Sequence, residues 1–543
     1  MRIRRLVIAV LLGAAAAAAQ ERAPGNDAIR KENMRADLFF LAGNEMRGRL
    51  IDTAENRLAA EWIKSRFERM GLKPAGPGNS YFQPYNLITA TLGDENRLEI
   101  AIGETAELRQ RVGQDYYPLL FSASGTVRGP VVFAGFGITA PHLNYDDYRG
   151  ADLRGKIALV LDHEPGENDP NSPFDGVVTS EPSSALRKAL YAQEKGAVGI
   201  LYVSDVHNHR GGGNFDAAAR NYWPAEPPRV RRFTLDAWAD RVRIPAAQIS
   251  PGLAAVLLRG LGRPLEELAR SSETADGSAP VALPSAHVEL TATVTRHVIA
   301  DRNVVGLLEG ADPKLKDEVV IICAHYDHEG ADGNQVFNGA DDDGSGTVAV
   351  IEIAEAYMAA ARAGQRPRRS ILFAAWNSEE RGLLGAWAYT EQPLFPLEKT
   401  VAVLNMDMIG RNEEVQEGGG GRFRGLPLQT AESNANAVGL LGYSRSASLR
   451  GEVEKANRAI GLTLQMRYDN NISNLLRRSD HWPFLNRGVP GIWFHTGLHP
   501  DYHTQYDRPE KINYDKMEKV ARLVHQTSWN LAQQDARPAL DKK

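Results

Sequence analysis

Five short segments in the second half of the chain end hydrophobic runs with a carboxylate or an imidazole. They are AHYDH at 324–328, GADDDGSG at 339–346, NSEERG at 377–382, NMDMIG at 405–410 and HPDYHTQYD at 499–507. His325, Asp341, Glu379, Glu380, Asp407 and His503 stand out as groups able to share one site. Each alone is a weak signal, because a strand-end aspartate is commonly a turn former or a helix cap. Together they raise an electrostatic question. Clustered carboxylates repel one another and take up protons unless something cationic offsets them. Divalent metals do this, and mixed imidazole and carboxylate ligation favours zinc, with cobalt or manganese as substitutes. Two metals about 3.5–4 Å apart, sharing a carboxylate and a water, make a hydrolytic centre. Of the adjacent Glu379 and Glu380, one can bind metal while the other faces the water and takes its proton.

These residues need a scaffold that brings distant segments to one edge. After a polar linker at 271–280, strand and helix patterns alternate. DEVVIICAHYD, RRSILFAAW, TVAVLNMDMIG and GVPGIWFHT are strand-like; GSGTVAVIEIAEAYMAAARAG, GLLGAWAYTEQ, GEVEKANRAIGL and residues 514–534 are helical. Such alternation predicts an α/β fold with a mixed, mainly parallel central sheet flanked by helices on both faces. In open sheets of this kind, ligands gather at the carboxyl ends of strands. His325, Glu379, Glu380 and Asp407 follow strand patterns directly, and Asp341 and His503 lie in the loops beyond.

The first half has a different character. AENRLAAEWIKSRFERM at 54–70 places Leu58, Ala59, Trp62, Ile63 and Phe67 on one helical stripe, and Gly71 stops it. From about 124 to 270, strand patterns such as VRGPVVFAGFG, RGKIALVLDH and GAVGILYVS alternate with loops rich in Pro, Asp, Asn and Gly. Few acid–histidine clusters fall at its strand ends, so this block reads as non-catalytic.

A net charge of -5 gives no reason to expect nucleic acid as a partner. Cys323, the only cysteine, excludes an intramolecular disulfide and reads as a buried thiol within an apolar strand. Residues 1–19 combine Arg2, Arg4 and Arg5, an apolar stretch at 6–12 and an alanine run, the pattern of a signal peptide cleaved near Ala19. An uncleaved anchor is the alternative; the apolar stretch is short of the about 20 residues of a span. Export to the periplasm or the exterior is the expectation, with no transmembrane span in the mature chain.

AHYDH, GADDDGSG, NSEERGLLGA, NMDMIGR, SDHWPF and YHTQYD resemble the blocks of the M28 family of zinc aminopeptidases. So does LAGNEMRGRL with the helix and YFQPY that follow it. NYDDYRGADLRGKIALV and KGAVGILYVSD resemble the β-rich protease-associated (PA) domain inserted in many such enzymes. The resemblance implies a catalytic domain made of residues 26–123 and 285–535, interrupted by a PA insert at 124–270. It implies two Zn2+ ions, one on His325 and Asp407 and the other on Glu380 and His503. Asp341 would bridge them and be joined to Asp342 by a cis peptide bond. Glu379 would be the general base and Asp327 would orient His325. The implied reaction is hydrolysis of peptides with a free N-terminus. A carboxypeptidase, a glutaminyl cyclase and a non-catalytic binding protein are the alternatives on this fold.

Other residues admit two readings. Asp480 and His481 line the cleft or cap a helix. Tyr502 and His499 stabilise an oxyanion or simply pack. Asp507 supports His503 or makes a turn. Trp376 and Trp387 read as core, and the arginines at 229–232 as a solvated face or a contact for a substrate carboxylate.

Overall fold

The computed structural model describes residues 22–104, 108–209 and 213–541. The expected signal peptide lies outside them. Among the described residues no helix is long and apolar enough to cross a membrane.

The larger sheet is built from β1 (Phe82–Leu92), β2 (Val294–Leu308), β3 (Val319–His325), β4 (Ser370–Trp376), β5 (Thr400–Met406), β6 (Ala437–Leu441), β7 (Thr463–Gln465) and β8 (Gly491–His495). Their order across the sheet is β1-β2-β4-β3-β5-β8-β6-β7, with the short strand Thr234–Leu235 beyond β1. The centre, β4-β3-β5-β8, is parallel, whereas β1, β2 and β6 join it antiparallel. The sheet is therefore mixed, with its parallel part where the site residues emerge.

Every residue of β3, β4 and β5 is buried, which explains their unbroken apolar character. Alternate side chains still go to opposite faces. Val320, Ile322 and Ala324 of β3 join one core, and Val319, Ile321 and Cys323 join the other. The first core is covered by α1 (Lys31–Leu41), α2 (Ala54–Met70), α3 (Gly346–Arg362) and α4 (Tyr514–Gln533). The helices Leu384–Glu391 and His481–Asn486 cover the second. In α2, Thr53 caps the first turn through the Asn56 N–H and Gly71 ends the helix at φ 89°. Its buried stripe is Asn56, Ala59, Ala60, Ile63, Phe67 and Met70; Leu58 is exposed, against the sequence expectation. Trp376 and Trp387 are core residues.

A second, eight-stranded mixed sheet stands beside this layer structure. Its centre is a parallel run of Gly125–Phe133, Ile157–Leu161, Gly199–Val203 and Ala246–Ile249. On one side of that run lie Val281–Ala292, Arg97–Ile102 and Leu108–Arg109, and on the other Tyr116–Pro118. The unit thus extends beyond 124–270 at both ends, because strands distant in sequence complete its edge. Its loop at 168–184 reaches the larger unit: the Val177 N–H donates to Asn470 Oδ1 at 3.0 Å, and Arg477 donates to the Thr179 carbonyl at 3.1 Å.

Candidate metal centre

His325 is the last residue of β3, where the sheet ends and its imidazole is fully buried. Its backbone N–H donates to Asp343 Oδ2 at 3.0 Å, and the Thr347 hydroxyl donates to its carbonyl. Nε2 points at three carboxylates: Asp342 at 3.2 Å, Glu379 at 3.7 Å and Asp407 at 3.8 Å. Nδ1 lies 3.2 Å from the Asp327 carbonyl and 3.6 Å from its carboxylate.

His503 approaches from the opposite side, in the loop after β8, with its backbone in the left-handed region at φ 55°. Its Nε2 lies 2.9 Å from Asp342 Oδ2 and 3.2 Å from Glu380 Oε2. Asp342 therefore presents one oxygen to His325 and the other to His503. Around it are two sets of donors: His325, Asp342 and Asp407, and His328, Asp342, Glu380 and His503. The donor atoms within each set lie within 4.8 Å of one another.

The shared residue is Asp342 and not Asp341, which corrects the sequence expectation. Asp341 faces away. Its Oδ1 accepts the Gly410 N–H at 2.6 Å, and its Oδ2 lies 3.3 Å from His499 Nε2. The cis peptide bond likewise joins Asp342 to Asp343, one residue later than expected. Three consecutive aspartates are chemically identical in the sequence; the backbone path between β3 and α3 decides which one faces the site. Asp507 fixes that path by accepting the N–H groups of Asp341 at 3.0 Å and Asp342 at 3.1 Å. This is where Asp507 acts, rather than on His503.

His328 is the residue that sequence reasoning missed. It is fully buried, and its Nδ1 lies 2.7 Å from Glu380 Oε1. The signal was the second histidine of AHYDH. Its approach needs Gly339: a Cβ there would meet the His328 ring at 2.5 Å, and the glycine sits at φ 57°.

Other parts of the chain hold these loops in register. Arg49, fully buried, donates to the carbonyls of Tyr326, Leu41, Asn338 and Gly339 at 2.7–2.9 Å. It thereby ties the loop after β3 to the aspartate loop. Burial lowers its pKa to about 10, partly offset by Asp327, Asp343, Asp342 and Asp507. Asp407 directly follows β5; the Ser479 hydroxyl donates to its carboxylate, and Trp493 Nε1 donates to its carbonyl at 2.8 Å.

The electrostatics match a cation site. Burial opposes protonation of His325 and His503, yet the surrounding carboxylates raise both well above the ordinary imidazole value. Burial pushes the Glu379 carboxyl well above its ordinary value, helped by Asp407, Glu380 and Asp480 and opposed by His325. Among the buried polar atoms without a hydrogen-bond partner are His325 Nε2, His328 Nε2, Glu380 Oε1 and His503 Nε2. Imidazole and carboxylate atoms that converge, buried and unsatisfied, are the donor set that divalent zinc takes.

A cavity of about 260 Å³ opens onto the group. Asp342, Glu379, Glu380 and Asp407 line it; Leu383, Met408, Leu475, Trp493 and Leu498 supply apolar surface; Arg477, Arg478 and Tyr502 complete it. Arg478 donates to the Tyr502 hydroxyl at 3.0 Å. His499 is buried against Asp341 and away from the cavity. Asp480 and His481 are also buried; Asp480 stands at the helix N-cap position but makes no capping bond. Arg229 and Arg231 pair with Glu329 and Asp52, so this stretch is not simply solvated.

Residues 303–528 match the model of peptidase family M28. This region resembles an M28-family peptidase domain. The M28 segment carries β3 to β8 and every donor named above. The probable glutamate carboxypeptidase VP8 of Zea mays is 26% identical over 521 residues, covering 92% of this chain and 64% of that protein. A probable zinc metalloprotease of Pyrenophora tritici-repentis is 28% identical over 304 residues, 50% of this chain and 60% of that one. The chain thus spans less than two thirds of the length of these curated relatives. The solved aminopeptidase from Aneurinibacillus sp. strain AM-1 is 19% identical, with 94% and 96% of the two chains covered and a TM-score of 0.48.

Proposed function

We propose that the protein is an exported two-zinc peptidase that releases N-terminal residues from peptides. The observation that carries this is the placement of Asp342, one buried carboxylate with an oxygen toward each of two histidine–carboxylate sets. His325 and Asp407 would hold one zinc, His328, Glu380 and His503 the other, and Asp342 both. When bound, the ions supply Lewis acidity toward the scissile carbonyl and the attacking water.

The chain's own residues do the rest. Glu379 lines the cavity, and its burial raises the basicity of its carboxylate. It accepts the proton of the attacking water and delivers it to the departing amine. Asp327 holds His325 and the Glu379–Glu380 turn in place. The acidic lining favours a cationic N-terminus, and the apolar lining favours an apolar first side chain. Export rests on the pattern of residues 1–19.

Arg477 and Arg478 on the cavity wall support a second reading, in which a substrate carboxylate is recognised and the C-terminal residue is released. A digest of a peptide library by the purified mature protein, read by mass spectrometry, separates the two. Ladders shortened from the N-terminus, abolished by chelation and restored by Zn2+, support aminopeptidase action. Ladders shortened from the C-terminus replace it with the second reading. Intact free peptides with a zinc-loaded, folded protein overturn both.

A further inference from the structure

The second sheet carries its own histidine–carboxylate group, at the carboxyl ends of two neighbouring parallel strands. His163 and Glu167 follow Ile157–Leu161, and His209 follows Gly199–Val203. His163 Nδ1 lies 3.1 Å from Glu167 Oε2, and His209 Nε2 lies 2.6 Å from Glu167 Oε1. The two imidazole rings stack with centroids 4.1 Å apart. One donor atom from each residue falls within a 4.8 Å set. The Glu167 side chain is only 14% exposed, whereas the imidazoles are nearly half exposed at 42% and 45%.

The loops that present these groups are fixed independently of them. Glu273 accepts the Gly166 N–H at 2.7 Å with one oxygen and the Asn208 amide at 2.6 Å with the other, so one carboxylate clamps both loops. Buried Lys188 donates to the His163 carbonyl at 2.5 Å and the Leu161 carbonyl at 2.7 Å. Buried Asp205 accepts the His207 N–H at 3.0 Å and the Asn208 amide at 2.8 Å, and the His209 N–H donates to its carbonyl at 3.0 Å. His163 itself is held in the left-handed region at φ 63°.

We propose that His163, Glu167 and His209 bind a divalent transition metal, at a site separate from the one around Asp342. Bonds of about 2.1 Å in tetrahedral geometry put neighbouring ligand atoms about 3.4 Å apart. The His163–Glu167 pair, at 3.1 Å, is near that spacing, and His209, which meets the other Glu167 oxygen at 2.6 Å, has its donor atom within the same 4.8 Å set. Two imidazole nitrogens and one carboxylate suit zinc, cobalt or nickel, not calcium or magnesium, which take oxygen ligands. Three protein ligands leave a fourth position on the exposed side for water. The ion joins the two loops that Glu273 and Asp205 already hold, and it stabilises the folded second unit by mass action.

The test uses tag-free full-length protein, stripped with chelator and dialysed against Zn2+. Wild type is expected to bind one equivalent more than Glu167→Gln and than the double variant His163→Ala, His209→Ala. Affinity at the lost site should fall more than about 100-fold, beyond the cost of losing an outer hydrogen-bond partner. Both variants should keep the circular dichroism of wild type and its turnover of peptides. The Zn2+-induced rise in unfolding temperature should shrink in both. Equal zinc stoichiometry in wild type and folded variants overturns the proposal, and Glu167→Gln keeps it testable should the double variant misfold.

Discussion

The carboxylate of Asp327 accepts the backbone N–H of Glu379 at 3.0 Å. Its other oxygen accepts the Glu380 N–H at 3.3 Å, and the same side chain lies 3.6 Å from His325 Nδ1. One buried aspartate thus fixes an imidazole from the end of β3 against a glutamate pair from the end of β4. An aspartate two residues after a histidine suggests support of that histidine alone. Its contact with the glutamate turn arises from the parallel pairing of β3 with β4, which brings His325 opposite Trp376.

Asp327→Asn is therefore expected to disturb two elements together. An amide keeps one acceptor oxygen but turns an N–H donor toward the other backbone N–H. Peptide turnover should fall about 10–100-fold, the usual cost of losing an outer partner of a metal ligand. Asp327→Ala should fall further and unfold at lower temperature, because two buried N–H groups lose their acceptor. Turnover of Asp327→Asn equal to wild type would show that the contact is dispensable.

Glu379→Gln removes the proton acceptor and keeps the shape of the side chain. Turnover should drop about 100- to 10,000-fold, the range of general acid–base contributions. Metal content by elemental analysis should stay at the wild-type value, since the donors grouped around Asp342 leave Glu379 out. Loss of metal together with activity would reassign Glu379 as a ligand.

The neighbouring aspartates make a sharp comparison. Asp342→Asn should lose metal from both sets, because its two oxygens face His325 and His503. Asp341→Asn should retain metal and lose stability, because Asp341 accepts the Gly410 N–H and faces His499. Equilibrium dialysis of the two variants side by side decides between them. Metal loss confined to Asp341→Asn would restore that residue as the bridge.

The same pair shows how much the sequence discloses. Strand ends, helix periodicity and the types of the site residues were legible, because each depends on local pattern. The choice among Asp341, Asp342 and Asp343 was not, because it depends on a backbone path held by Asp507, 165 positions from Asp342 in the chain. His328 was in plain view within AHYDH, but its role requires Glu380 beside it. The strands that extend the second sheet beyond its parallel run were hidden for a related reason. Arg97–Ile102 pairs with Val281–Ala292, and nothing local to either segment announces the other.

Lys516 offers a test of the buried electrostatics behind this site. Its ammonium is buried in α4, donates to the Asn434 carbonyl at 3.2 Å, and feels Asp341 and Glu413. Burial lowers its pKa from 10.5 to about 7 despite those two carboxylates. The unfolded lysine keeps its proton up to 10.5, whereas the folded one releases it near 7, so the unfolded state binds more protons between these values. Stability from this group must then rise with pH across that window, and the cost of burying the charge is fully present below pH 7. Lys516→Met lacks the titration and cancels other groups by comparison. Its unfolding free energy should exceed that of wild type at pH 6.5, and the difference should shrink by on the order of 1–3 kcal/mol by pH 9. Denaturant titrations at the two pH values measure this. A difference that stays constant would mean that Lys516 remains charged throughout, with Asp341 and Glu413 fully offsetting its burial.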